Sequence, residues 1–421
     1  MFPLGERARR FCCRVLFCLL CLFPTGATLA WCAWSNRASQ RVDWEQSLAA
    51  HLGLVTHIER ISHPRPGLLR CEGLELSDPE TSDRLVTISR LDADRWGGKL
   101  VLRVQQGTVS LARPDELWRV LRRALAGRTS RAAPPVRWSC GDVVVQSSSA
   151  QFTLTELTGG IESVPSRETA YGSFRVVGVD MPEPACVRIQ RDRQGASAVT
   201  AVTFHSGTAA LPTALVFPGL QAPEQLGPEG AFRGYVWASF ADGSWSGELT
   251  GQLSRLDLRH LATQHLPHTL SGTAEAVIER LNFRGGRIEE AVGTLIAGPG
   301  SIGRSLLDSA RTALALRYAA RIDTAPSILP YEQLALAYSL DSSGITLKGS
   351  CQGATAGVLL ADSAGPLLGE PDRPRDVAAL VRALAPDGDS AIPFGRQAER
   401  LVRVLPLASP RIPVADTSGH R

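Results

Sequence analysis

The stretch LLRCEGLELSDPETSDRLVTISRLDADRWGGKLVLRVQQGTVSL, residues 68–111, decides the fold class. Short apolar segments alternate in it with polar, turn-forming residues. Near its end, Leu100, Leu102 and Val104 alternate with Val101 and Arg103. A period of two places successive side chains on opposite faces of a strand. We therefore predict strands at 73–77, 85–88 and 100–104, a turn at 105–107, and a strand that resumes at Val109 and Leu111.

The composition is that of a folded protein without a nucleic-acid footprint. The 421 residues are 44% hydrophobic, which is ordinary for a globular chain, and the net charge is only +4. Lys99 and Lys348 are the only lysines, so nearly all positive charge is arginine. No dense basic patch follows the N-terminal segment, and we expect no nucleic-acid partner.

The N-terminus has the pattern of a membrane anchor. Arg7, Arg9, Arg10 and Arg14 precede an apolar run at 15–34, which is long enough to cross a bilayer of ~30 Å as a helix. The basic flank favours a cytoplasmic N-terminus, so the chain beyond about residue 35 is expected outside the cytoplasm. A cleaved signal peptide is the alternative, since Thr28 and Ala30 form a small-x-small site.

The remaining sequence predicts a mainly β protein with a few helices (α+β). Helices are predicted from Asp43, from Pro114, over about 302–320, from the cap Asp376, and near 397–404, and a bulge is predicted near Ser254 and Arg255. Alternation at Leu334, Leu336, Tyr338 and Leu340 with the loop at 341–344 predicts a hairpin. The expected organisation is a cytoplasmic basic segment at 1–14, a transmembrane anchor at 15–34, a juxtamembrane helix and linker at 35–66, a β-rich domain at 67–365, and a helix with a Pro/Arg-rich tail at 366–421.

The sequence contains no catalytic constellation. Neither GxSxG nor HExxH occurs, and Gly298-Pro299-Gly300 lacks the Lys-Ser/Thr of a P-loop, so we interpret it as a strand-to-helix turn. His260, His265 and His268 lack the spacing of a helical metal-ligand pair, so we favour a loop with incidental histidines over a metal site. Asp92 and Asp94 share a strand face; we favour a solvated polar face over acid/base chemistry. We therefore name no catalytic residue, cofactor or metal.

Four cysteines lie singly beyond the apolar run, namely Cys71, Cys140, Cys186 and Cys351. Disulfides among them in an oxidising compartment and buried free thiols are both open alternatives.

Three stretches are similar to the AsmA-like proteins. GLELSDPETSDRLVTISRLDADRWGGKLVLRVQQGTVSLARPDE resembles their N-terminal part. LSGTAEAVIERLNFRGGRIEEAVGTLIAGPGSI and YEQLALAYSLDSSGITLKGSCQG resemble their C-terminal strand pairs. The resemblance covers the anchor, about 68–115, and about 247–353, and its N-terminal part is carried by Gly98, Leu100, Leu102, Gly107, Val109 and Leu111.

The resemblance implies a single-pass protein of the inner (cytoplasmic) membrane, with the bulk of the chain in the periplasm and a role in envelope biogenesis. It implies a long curled, mostly antiparallel sheet whose apolar concave face binds or conducts phospholipid acyl chains. On this hypothesis the groove is lined by Leu100, Leu102, Val104, Leu334, Leu336 and Leu340, and membrane phospholipid is the partner.

Two alternative functions make different predictions. A non-catalytic tethered scaffold that binds an envelope or secretion protein predicts a closed core and an exposed patch. An exported enzyme predicts converging polar groups in a pocket, which the sequence does not supply, so we expect no enzymatic activity.

Overall fold

The computed structural model describes residues 6–28, 38–65, 67–127, 135–147, 150–164, 166–195, 197–218, 225–263, 266–319, 322, 326–386 and 396–406. The fold is mainly β, with a large, mostly antiparallel sheet and an apolar N-terminal helix, as the alternation predicts. Its helices are α1 (Glu6–Phe17), α2 (Ala38–Leu52), α3 (Pro114–Gly127), α4 (Thr213–Val216), α5 (Arg304–Leu314), α6 (Val377–Leu384) and α7 (Arg396–Val404).

The N-terminal helical segment Arg10–Thr28 is apolar, and its 19 residues make it long enough to cross a membrane. It contains a π-helical turn at Cys18–Leu22, and Phe23 separates this turn from Pro24. Proline lacks an N–H group and clashes with the carbonyl four residues earlier, and a π turn relieves that clash. The predicted span 15–34 begins later than this helix, and its residues 29–34 lie outside the described part of the chain.

The chain folds into two compact units. The N-terminal unit comprises Met1–Gln146 and Thr153–Val164, and the C-terminal unit comprises Ser147–Phe152 and Pro165–Arg421.

The N-terminal unit is built on a strand ladder with one parallel pair. Its strands are β1 (Val55–Arg65), β2 (Leu68–Ser77), β3 (Arg84–Trp96), β4 (Lys99–Ser110), β5 (Val136–Gln146) and most of β6 (Gln151–Val164). The pairs β1–β2, β2–β3 and β3–β4 are antiparallel, whereas β4–β5 is parallel. A parallel pair requires a crossover connection, and α3 lies in that connection.

One face of this ladder carries a small core of Ile58, Cys71 and Leu74, against which Leu48 of α2 packs. Cys71 and Leu74 belong to the same cluster although strict alternation would separate them. Gly73 lies between them with φ of +61° and breaks the alternation.

The C-terminal unit contains a longer antiparallel ladder. Pairing runs in the order β7 (Arg167–Val176), β8 (Ala185–Asp192), β9 (Val199–His205), β11 (Ala231–Ala241), β12 (Ser244–Asp257), β14 (Thr273–Arg284), β15 (Arg287–Ala297), β19 (Gln333–Asp341) and β20 (Gly344–Gly349). Shorter strands are β10 (Leu211–Pro212), β13 (Leu270–Ser271), β16 (Gly300–Gly303), β17 (Arg317–Tyr318), β18 (Ile328–Tyr331), β21 (Val358–Asp362) and β22 (Gly365–Gly369). Of these, β13, β16 and β18 form a separate small sheet.

The main core of the C-terminal unit lies between one end of this ladder and the helices α5 and α6. Leu307 of α5 and Val381 of α6 are buried in the same cluster as Ala297 of β15 and Leu340 of β19. The sheet is therefore covered by helices at its β15–β20 end.

Several predicted elements are confirmed. Asp376 caps α6 by accepting a hydrogen bond from the Ala379 N–H, and α7 lies where a short helix was predicted. Arg255, with φ of +54°, lies at a register shift of β12 against β14, which confirms the predicted bulge.

Other predictions were wrong in their limits. The predicted turn at 105–107 is part of the uninterrupted β4, in which Gly107 is paired with Ile88 of β3 and with Val143 of β5. The predicted linker before residue 66 contains β1, and the predicted helix at 302–320 is the shorter α5, since Ile302 belongs to β16 and Ala315 ends the helix with φ of +51°.

Candidate functional site

The strongest functional feature is a row of apolar side chains that crosses the C-terminal ladder without interruption. Residues that lie directly opposite each other on paired strands share a face of the sheet. The register of the strands therefore places one continuous row on one face, in the order Gly172, Val187, Phe204, Val236, Leu249, Leu281, Ala291, Leu340 and Ile345.

A second apolar row runs beside the first. From β7 to β14 it is displaced by two residues along each strand and therefore lies on the same face. On β15 the displacement is three residues, because the register shifts between Asn282 and Phe283 of β14. Its members are Ala170, Ile189, Val202, Ala238, Gly247, Phe283 and Ile288.

Nine apolar residues of these rows are half-buried, and we call them the apolar strip. They lie on the strands from β8 to β14, and each of the nine side chains is more exposed to solvent than the buried core residues are. They are Val187, Ile189, Val202, Phe204, Val236, Ala238, Leu249, Leu281 and Phe283.

The opposite face of the same strands is polar. The row that alternates with the strip contains Arg188, Thr203, Trp237, Glu248 and Asn282, and Trp237 is 38% exposed. The sheet is thus amphipathic, with a half-buried apolar face and a solvated polar face.

Glycines allow aromatic rings to lie against this apolar face. A Cβ added to Gly247 would lie 2.7 Å from the ring of Phe283, and one added to Gly251 would lie 3.0 Å from the ring of Phe232. Glycine inside a strand commonly marks such a close approach. The rings fill the space above the glycines, so the strip is a continuous hydrocarbon surface.

The strip has defined ends. Toward β15 and β19 the first row passes into the core, where Leu340 is 6% exposed. Along β11 the strip ends at Phe232, which is buried. The Phe232 ring packs edge-on against the Phe217 ring, with 5.1 Å between the ring centroids. At the opposite end, next to Ile189 and Val202, the same face carries Arg191 and Thr200.

The six residues predicted to line a groove fall in the two different units. In the C-terminal unit, Leu334 and Leu336 pack against the main core and Leu340 is part of it. In the N-terminal unit, Leu100, Leu102 and Val104 are half-buried; Leu102 and Val104 are paired with Ala93 and Leu91 of β3, and Leu91 packs against the small core.

The apolar strip itself was not among the features predicted from the sequence. A signal was present in three segments, in which the strip residues recur at every second position. The segments are CVRIQRD (186–192), VTAVTFH (199–205) and YVWASF (235–240). The row becomes visible only when the registers of the strands are known.

The candidate polar groups are occupied by local interactions. The Arg70 guanidinium, 2.8 Å from Asp92, lowers the pKa of that carboxyl to about 2, and Arg90 contributes to the shift. Asp94 forms an ion pair with Arg65 at 2.7 Å. The two carboxylates thus belong to arginine pairs, and Asp94 is buried, so the predicted solvated face is wrong at that position.

The histidines are dispersed. His260 is 2.8 Å from the Asp257 carboxylate, His268 is buried between the Ser305 hydroxyl and the Ala383 carbonyl, and His265 lies outside the described residues. Among the described residues, no group of three or more potential His, Cys, Asp or Glu ligands could hold a metal ion. Cys71, Cys140, Cys186 and Cys351 are free thiols.

Comparisons with known proteins add no assignment. No family model matches the chain, and no curated protein or solved structure matches it.

Proposed function

We propose that this chain is a membrane-anchored, extracytoplasmic protein of envelope biogenesis that binds phospholipid acyl chains on the apolar strip. The observation that carries the proposal is the uninterrupted apolar row from Val187 to Leu281, half-buried and backed by a polar face. The resemblance to AsmA-like proteins supports the same function.

The dimensions and energetics suit an acyl chain. Neighbouring strands lie about 4.8 Å apart, so the row from β8 to β14 is roughly 19 Å long. Each methylene removed from water contributes ~0.8 kcal/mol, so a chain with about ten methylenes half-covered gains roughly 4 kcal/mol. A curled sheet that forms a groove over the strip would increase this contact.

The proposed location follows from the anchor. Arg10–Thr28 crosses the inner membrane, the basic residues before it stay in the cytoplasm, and the strands of both units lie in the periplasm. Tethering to the bilayer places the strip near its source of lipid.

Site-specific photocrosslinking tests the proposal in the full chain. Phe204 is replaced by the photoreactive amino acid p-benzoylphenylalanine in a bacterial host labelled with radioactive phosphate, and the irradiated protein is purified and counted. Trp237, aromatic and on the opposite face of the neighbouring strand, receives the same replacement as the matched control. We expect labelled phospholipid on the first variant and background on the second.

Equal labelling at the two positions would indicate nonspecific contact with membrane lipid and would contradict the proposal, as would background at both. Background at both would favour the second candidate, a non-catalytic scaffold. One observation supports that alternative: Tyr235, Trp237, Val277 and Ile296 are exposed large side chains on the polar face.

A further inference from the structure

The hairpin between β3 and β4 ends in a tryptophan that lies outside the core of the N-terminal unit. Trp96 pairs with Lys99 where the two strands meet. Gly97 and Gly98 form the loop between them, with φ of +56° and +74°, and glycine adopts these positive values without strain. Trp96 is 74% exposed, slightly more than Phe23 of the apolar N-terminal helix at 72%. We call residues 95–99 the hairpin tip.

The hairpin tip projects past the neighbouring hairpin. Asp94 of β3 lies opposite Leu68 of β2, and Leu68 lies opposite Arg65 at the end of β1. Trp96 is two residues beyond Asp94, so the tip extends roughly 7 Å past the end of the β1–β2 pair. A Cβ added to either loop glycine would meet no atom within 4 Å apart from its chain neighbours. Within the described part of the chain, the loop is therefore not covered by another element.

The tip carries positive charge that is not neutralised locally. Arg95 and Lys99 flank Trp96 and are exposed, and neither forms an ion pair with another described residue. The adjacent carboxylate, Asp94, is buried and pairs with Arg65 at 2.7 Å. Alternation places Lys99 on the face of Trp96 and Arg95 on the opposite face. The indole ring thus lies between two cations.

The chain enters the N-terminal unit from the same end. Leu52, the last residue of α2, comes shortly before β1, which begins at Val55. Further back along α2, the Glu45 carboxylate accepts from the Ile58 N–H at 2.8 Å. The Arg41 Nη1 donates to the carbonyl of the next β1 residue, Glu59, at 3.4 Å. Helix α2 is therefore antiparallel to β1, and its N-terminus points toward the end of the ladder where the hairpin tip projects.

The connection to the N-terminal helix is long enough for the tip to reach the bilayer. Residues 29–37 join the apolar helix Arg10–Thr28 to α2, and a chain of this length spans at most about 32 Å. From the level of Arg41, β1 continues to Arg65 and β3 extends two residues further. The tip therefore lies roughly 27 Å beyond Arg41 along the strands.

We propose that the hairpin tip docks on the surface of the bilayer that holds the N-terminal helix, with Trp96 among the lipid headgroups and Arg95 and Lys99 against anionic phosphates. Tryptophan has an apolar ring and one N–H donor, so it favours the membrane–water interface. Basic side chains close to an anionic bilayer are attracted by its negative surface potential. The inference rests on the proposed anchoring of the chain and is independent of lipid binding on the apolar strip.

Fluorescence quenching in the full chain tests the docking. Trp96 is replaced by a fluorescent aromatic amino acid, and the protein is reconstituted into vesicles of phosphatidylethanolamine and phosphatidylglycerol. Vesicles with and without bromine on the acyl chains are compared, because bromine quenches a fluorophore only at short range. Trp237, an exposed tryptophan on the polar face of the C-terminal unit, receives the same replacement as the matched control.

A second hairpin provides the matched control for charge. The β14–β15 hairpin also turns through two glycines with positive φ between two basic residues, Arg284 and Arg287. There, however, Arg284 pairs with Glu289 at 3.2 Å. The double variants Arg95→Gln/Lys99→Gln and Arg284→Gln/Arg287→Gln are compared, each with the fluorescent residue at position 96.

We expect bromine to quench the fluorescent residue at position 96 and not at position 237. Each cation near an anionic surface contributes about fivefold to binding, so Arg95→Gln/Lys99→Gln lowers the ratio of quenched to unquenched protein by about tenfold or more. Arg284→Gln/Arg287→Gln leaves this ratio unchanged. Arg95→Lys keeps the charge and retains the quenching. Vesicles of phosphatidylcholine alone, which lack net charge, give weaker quenching than the anionic vesicles.

Several results would overturn the inference. Absence of quenching at position 96, or equal quenching at positions 96 and 237, would show that the hairpin tip does not dock selectively. Blue-shifted emission without quenching would place position 96 against protein rather than lipid. Quenching that Arg95→Gln/Lys99→Gln does not reduce would overturn the role of the two cations. Crosslinking at Phe204 reports on the apolar strip separately, so failure of this inference and failure of the proposed function are distinguishable.

Discussion

His268 shows at the residue scale how a polar group is accommodated in the core of the C-terminal unit. It is 3% exposed, its Nε2 lies 3.0 Å from the Ala383 carbonyl, and its Nδ1 lies 3.2 Å from the Ser305 hydroxyl. The neutral ring satisfies both contacts by donating from Nε2 and accepting at Nδ1. His268 thereby links α5 to the end of α6.

The environment of His268 predicts a pH dependence of stability. Burial lowers its pKa below the ordinary value of about 6.5. As the pH falls through about 6.5, the unfolded chain binds a proton that the folded chain resists, so the free energy of unfolding decreases. The decrease from this one group is at most about 1.4 kcal/mol per pH unit and ceases below the folded pKa.

Thermal unfolding of the full chain in detergent, followed by circular dichroism from pH 7.5 to pH 5, measures this dependence. His268→Gln keeps a donor and an acceptor but does not titrate, so we expect a shallower pH slope. Identical slopes for the chain and His268→Gln would refute the assignment.

At the scale of the element, α6 depends on its first residue. The Asp376 carboxylate accepts from the Ala379 N–H at 2.5 Å. Val377 and Val381 are buried on one side of the helix, and Ala379 and Ala383 are buried on the other. Asp376→Ala leaves an N-terminal N–H group without its cap, and we expect a loss of about 1 kcal/mol. Chemical denaturation of the full chain should show a lower midpoint.

Asp376→Asn distinguishes the contribution of the capping hydrogen bond from that of the negative charge. Asparagine caps nearly as well as aspartate, so we expect it to retain most of the stability. If Asp376→Ala unfolds at the same denaturant concentration as the unchanged chain, the cap does not stabilise this helix.

Elements whose chemistry is local were predictable. Asp376 has a cap residue's chemistry, and the loop at 341–344 is a hairpin in which the Asp341 Oδ1 accepts from the Ser343 and Gly344 N–H groups. The alternation from Leu334 to Leu340 predicted one strand.

Elements set by pairing were not predictable. Alternation does not state the direction of the partner strand, so nothing in β4 or β5 indicated a parallel pair. Ala315 ends α5 in a left-handed conformation that the sequence does not mark with glycine. The strip was missed for the same reason as the β4–β5 pair: Phe204 and Leu249 are distant in sequence and come together only through the register of β11.

At the scale of the whole molecule, Cys186 reports the orientation of the chain across the membrane. Its side chain is exposed on the polar face of β8, whereas Cys71 and Cys351 are buried. Burial also raises the pKa of Cys71 to about 11, so that thiol reacts slowly at neutral pH. A membrane-impermeant maleimide therefore reacts preferentially with Cys186 among these three cysteines.

If the N-terminal helix anchors the chain with the strands of both units in the periplasm, Cys186 is labelled in intact cells whose outer membrane alone is permeabilised. Peptide mapping locates the label, Cys186→Ser removes it, and an unprocessed chain length shows that the anchor is retained. Labelling that requires lysis of the inner membrane would place the strip in the cytoplasm and contradict the envelope role. Labelling of a shortened chain would show that the N-terminal helix is a cleaved signal, and lipid would then reach the strip without a tether.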